Sequence, residues 1–149
     1  MDRDERAFSL MDDAATISAI VRRVPAERLG ESAFDGWSWL DVIGHLADTA
    51  ALFTDRVARI LREEEPALPD VDTDAWVRER RAARVPLACA KAVAAEHARL
   101  VRLLDEPGAL ARYGVHSLHG RVSAGWIADY HARHAHDHTL AVVGAFPPA

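Results

Sequence analysis

The chain is almost without thiol. Cys89 is the one cysteine among 149 residues, so no internal disulfide forms, and a metal held by this chain needs nitrogen and oxygen ligands. Lys91 is likewise the one lysine, and the basic residues, 18 against 23 acidic for a net charge of −5, are dispersed along the chain. That distribution argues against a nucleic-acid partner, whose phosphates call for a clustered basic face. No stretch reaches the roughly 20 apolar residues that span a bilayer, and the first ten residues lack the hydrophobic region and cleavage site of a signal peptide. No membrane association and a cytoplasmic location are therefore expected. Gly-rich phosphate loops and the Gly-x-Ser-x-Gly elbow are missing, as are sustained strand alternation, internal repeats and low-complexity segments.

What is present is enough apolar material, 50% of the residues, to fill the core of one domain spanning 1–149. Residues 4–24 are free of Gly and Pro, and Phe8, Met11, Ala15, Ile17 and Val21 approximate one helical face. Residues 31–37 read as a connecting loop. Ser38-x-x-Asp41 has the form of a capping box, opening a helix that carries Val42, Ile43, Leu46, Ala50, Phe53, Val57 and Ile60 and stops before Pro66. An acidic, proline-bearing linker covers residues 66–74, with a short helix following to Arg84. Pro86 suits the first turn of a third long helix, which ends at Glu106-Pro-Gly108. After a Gly- and His-containing loop at residues 112–120, Ser123 caps the last helix, whose stripe of Ile127, Tyr130, His134, His138 and Val142 is expected to face the interior. Four long helices with two wide connections predict an all-α four-helix bundle.

The eight histidines are the excess that calls for a chemical reading. His134 and His138 are one turn apart on one helix face, the spacing two imidazoles need to chelate one ion. His131 shares that face and competes as a ligand, whereas His136 is rotated away. His45, on a face with Val42, Thr49, Leu52 and Arg56, is the third candidate, offered from a different helix. Cys89, between Ala88 and Ala90 and without a neighbouring His, reads as a packed residue.

Three passages resemble the DinB-like superfamily of four-helix bundles, which includes metal-dependent thiol S-transferases and mycothiol-dependent maleylpyruvate isomerase-type domains. They are Trp37-Ser-Trp-Leu-Asp-Val-Ile-Gly-His45-Leu, His116-Ser-Leu-His-Gly-Arg-Val-Ser123 and Ala132-Arg-His-Ala-His-Asp-His138. The resemblance implies that His45, His134 and His138 form a three-histidine site for a divalent metal, with zinc favoured and nickel or iron compatible. One departure is Ala135, where the family commonly has Asp; it leaves a His131–His134 register open, although the four-residue spacing favours His134 and His138.

The resemblance further implies transfer of a low-molecular-weight thiol, or hydrolysis of a small substrate, at the metal. Arg56, Arg121 and His119 are the candidate substrate-binding residues, and Asp48 or Asp137 could support the ligands if not simply solvated. Two other classes stand beside this enzyme reading: a non-catalytic metal- or ligand-binding bundle, and a metal-free interaction module. Trp37, Trp39, Trp76 and Trp126 would serve that module as core or interface residues, and a homodimer is expected.

Overall fold

Side-chain caps decide where the long helices begin. In the computed structural model, which describes residues 1–148, Asp2 and Glu5 form a capping box that opens α1 (Arg3–Arg23). Ser38 and Asp41 do the same for α3 (Trp39–Arg62), and Ser123 accepts a hydrogen bond from the Trp126 N–H at the head of α6 (Ala124–Ala145). Pro86 occupies the first turn of α5 (Pro86–Leu104), where its missing N–H has no partner to lose. Two short helices, α2 (Ala26–Leu29) and α4 (Thr73–Arg80), lie in the connections.

Both α1 and α3 pack against α5 and α6, whereas the pairs α1/α3 and α5/α6 hardly touch. The cyclic order around the bundle is therefore α1, α5, α3, α6, with α1 and α3 on one diagonal. Consequently α3 and α6, the helices that carry the candidate ligands, are direct neighbours although 61 residues of sequence separate Arg62 from Ala124 at their facing ends.

The segments expected to be loops contain short strands. β1 (Ser32–Phe34) and β2 (Trp37–Ser38) form an antiparallel hairpin, with Asp35 and Gly36 at positive φ in the turn. β3 (Ala67–Leu68) runs parallel to β4 (Tyr113–His116), which turns back antiparallel into β5 (Gly120–Ser123). Strands of two to four residues are too short to show alternation. The second sheet pairs Leu68 with His116 and so brings the start of the acidic linker beside the His-containing loop.

Two helix faces differ from expectation. In α1, Phe8 and Met11 are exposed, and the buried face is Leu10, Ala14, Ile17 and Ile20 together with Arg6 and Asp13. These two charged residues are buried because α6 supplies their partners: Arg6 Nε donates to Asp129 Oδ1 at 2.6 Å, and His136 Nδ1 lies 3.1 Å from Asp13 Oδ1. In α6, the buried stripe is Ala124, Ala128, His131, Ala132, Ala135, Thr139 and Val142, with Ile127 beside it, while Tyr130 is half exposed. Small residues on this stripe allow α6 to lie close to its neighbours, which leaves the larger rings at its borders.

Asp48 is buried rather than solvated. It receives Arg80 Nη1 at 2.8 Å and both terminal nitrogens of Arg84, whose side chain crosses α3 at Gly44. A Cβ at position 44 would fall 2.5 Å from Arg84 Nε, so glycine there makes room for the guanidinium. Asp48→Ala is expected to cost about 3 kcal/mol in urea unfolding, because it strands the nearly buried Arg84. A loss within the ordinary range of surface substitutions, about 0.5 kcal/mol, would show that the pair is inert.

Candidate metal centre

His45 projects from the second turn of α3, and His134 and His138 project from α6 across the α3–α6 contact. Their ring nitrogens converge: His134 Nε2 lies 3.2 Å from His45 Nε2 and 3.1 Å from His138 Nε2. One nitrogen from each of the three rings falls within 4.8 Å of the others. Zinc–nitrogen bonds of about 2.0–2.1 Å at tetrahedral angles place neighbouring ligand atoms about 3.3 Å apart. The observed spacing thus fits one shared divalent ion.

Electrostatics keep the three rings in the form that ligates. Burial, with His138 alongside, pushes His45 down to about 4. Burial, reinforced by His138 and His45, pushes His134 to about 4 as well, and burial lowers His138. In the tautomer with the proton on the outer nitrogen, the three Nε2 lone pairs would face one another and repel, and a cation between them would relieve the repulsion. The outer nitrogens of His45 and His134 are buried and, among the described residues, without hydrogen-bond partners. The oxygen acceptor that usually orients a metal-bound imidazole is replaced here by ring packing. Trp37 lies 5.1 Å from the His45 ring, and Tyr130 stacks nearly parallel on His134 at 6.2 Å.

His131 does not join this cluster. It points into the core, where its Nε2 lies 2.9 Å from His97 Nε2, and His97 Nδ1 donates to the Leu10 carbonyl at 2.6 Å. The two rings thus tie α6 to α5 and α5 to α1. Spacing within α6 could not distinguish this arrangement from ligation, because the deciding partner, His97, is on another helix. Asp137 is exposed, as a solvated acid should be.

A cavity of about 270 Å³ adjoins the centre, with His45 and His134 in its wall. Thr49, Phe53 and Arg56 continue along α3, Tyr130 and Trp126 along α6, and His116 and His119 close the sheet side. Of the candidate substrate-binding residues, Arg56 and His119 therefore face the cavity. Arg121 does not; its guanidinium lies over the Tyr113 ring at 3.6 Å, in a neighbouring surface depression. His116, which the sequence placed only in a loop, is buried in the cavity wall, and its ring stacks on His119 at 4.6 Å.

These features define a four-helix bundle with a three-histidine centre shared between two helices and opening on a small cavity. The DinB superfamily model matches residues 11–142, and the chain belongs to that superfamily. Among solved structures it is similar to YfiT from Bacillus subtilis, described as "a probable metal-dependent hydrolase with an unusual four-helix bundle topology". The TM-score is 0.85 at 22% identity, covering 96% of this chain and 85% of that one, so the fold is shared. No curated protein matches the chain. No helix among the described residues is long and apolar enough to cross a membrane.

Proposed function

We propose that this protein is a metal-dependent enzyme in which His45, His134 and His138 hold a divalent ion beside the substrate cavity. The convergence of three neutral imidazole nitrogens from two helices carries this reading. A metal bound by three protein ligands retains an open position, at which it lowers the pKa of a water or a thiol and supplies the nucleophile. The description of YfiT supports hydrolysis. Transfer of a low-molecular-weight thiol would be the same chemistry with the thiol in place of water, and it is the activity that the sequence resemblance implies.

The chain's own residues position the substrate. Phe53 and Tyr130, 5.5 Å apart between ring centroids, narrow the cavity beside the histidines and exclude water from an apolar part of the substrate. Zinc is favoured on availability, with nickel and iron compatible with imidazole ligands.

The test is turnover by chelator-stripped protein reloaded with zinc, nickel or ferrous iron. Small esters and amides probe hydrolysis, and a soft electrophile supplied with added thiol probes transfer. Metal-dependent turnover on either panel, lost again on chelation, is expected. Stoichiometric metal with no turnover above the blank on both panels would favour a non-catalytic binding bundle instead.

A further inference from the structure

Among the described residues two arginines are buried, and they are treated differently. Arg6 is paired with Asp129, whereas Arg56 has no carboxylate partner among the described residues. Among the described residues the Arg56 guanidinium makes one hydrogen bond, from Nη2 to the Pro69 carbonyl at 2.7 Å, and the side chain lines the cavity. A guanidinium keeps its charge at any physiological pH, and a buried charge without a counter-charge destabilises the fold. Asp70 acts on Arg56 without forming an ion pair with it, and is itself largely exposed.

Beside Arg56 stands a second donor whose direction is fixed by the backbone. His116 Nδ1 accepts hydrogen bonds from the Leu118 N–H at 3.0 Å and the His119 N–H at 3.3 Å. The proton of the neutral ring must then reside on Nε2, which is 3.7 Å from Asp70 Oδ1 on the cavity side. Burial and the nearby Arg56 charge both favour that neutral form. The pairing of β3 with β4 sets this arrangement, since Leu68 lies opposite His116 and Pro69 follows directly.

We infer that Arg56 and His116 form an anion subsite that takes a substrate carboxylate at the end of the cavity remote from the metal ligands. The inference rests on the cavity serving the centre described above. His45 and Arg56 are three turns apart on α3, about 16 Å along its axis, and the Arg56 side chain leans back over Phe53 toward the histidines. The substrate is accordingly an elongated small molecule with its reactive bond at one end and its carboxylate at the other. Asp70 and Asp74 in the same wall oppose a second negative charge, which favours a carboxylate over a phosphate dianion.

The full chain, at pH 8 and in both metal-free and zinc-loaded forms, can be titrated with hexanoate, hexan-1-ol and hexylphosphonate, with calorimetry as the readout. Hexanoate should bind best in both forms, and Arg56→Gln should weaken it at least tenfold while leaving hexanol unchanged. Arg56→Lys should recover part of the loss. Because Arg56→Gln removes an unpaired buried charge, its melting temperature should equal or exceed that of wild type, a result that a purely structural arginine would not give. Hexanoate affinity within twofold of wild type in Arg56→Gln, or equal affinity for acid and alcohol, would overturn the subsite; tighter binding of hexylphosphonate would overturn the preference for a carboxylate. Zinc content of the same samples reports separately on the metal centre, so failure of one reading is distinguishable from failure of the other.

Discussion

Replacing His134 with alanine is expected to bring bound divalent metal from one ion per chain to background, as measured by elemental analysis of untagged protein after dialysis. His134 is the shared neighbour in the cluster, its Nε2 lying 3.2 Å from that of His45 and 3.1 Å from that of His138. Its loss leaves one imidazole on each of two helices. Removing even an outer hydrogen-bond partner of a metal ligand costs about 10- to 100-fold in affinity, and removing a ligand itself should cost more than about 100-fold. His138→Ala should behave alike. His131→Gln is the informative control, since His131 is adjacent on the helix but directed toward His97. Full metal content in His134→Ala, or equal loss in His131→Gln, would refute the site as drawn.

Local chemistry is what the sequence displays most clearly. Ser38 and Asp41, Ser123, and Pro86 each act within a turn of their own helix, so the starts of α3, α5 and α6 are legible without a fold. The His134–His138 pair is legible for the same reason. His45 required the further condition that α3 and α6 be neighbours, which the bundle order satisfies and the family resemblance anticipates.

The features that escaped depend on distant partners. Arg6 and Asp13 occupy core positions of α1 because Asp129 and His136, each 123 residues away, satisfy them. A pattern built on side-chain polarity alone assigns those positions to solvent and chooses Phe8 and Met11 in their place. Likewise, Tyr130 looks more buried in sequence than Ala128 or Ala132, yet the close approach of α6 selects the small residues. His116 gives no periodic signal at all, since its donor direction comes from a strand turn and its neighbours from β3.

The buried His97–His131 pair should make the fold markedly sensitive to acid. Burial lowers His97, and burial together with the neighbouring His97 charge holds His131 well below the usual imidazole range. Above the unfolded-state value of about 6.5 neither state carries the protons, and the pair's pH-dependent contribution is fully present. As the pH falls below that value the unfolded chain takes up protons on these two rings more readily than the folded core does, and stability is lost. A proton refused throughout the interval is worth about 1.4 kcal/mol per pH unit below the unfolded-state value, which bounds the pair's contribution at about 4 kcal/mol between pH 7 and pH 5. Asp13, pushed up by burial, works in the opposite sense but on one proton. Against a total stability of about 5–15 kcal/mol, the loss is large. Urea unfolding of the metal-free protein at pH 7, 6 and 5 measures it, with His97→Phe/His131→Leu as the comparison. The three ligand histidines titrate in both proteins, so the difference in slope isolates the pair. The double variant should lose less stability over this interval, by up to about 4 kcal/mol, whatever its stability at pH 7; parallel pH dependences would mean that the two rings accept protons within the fold.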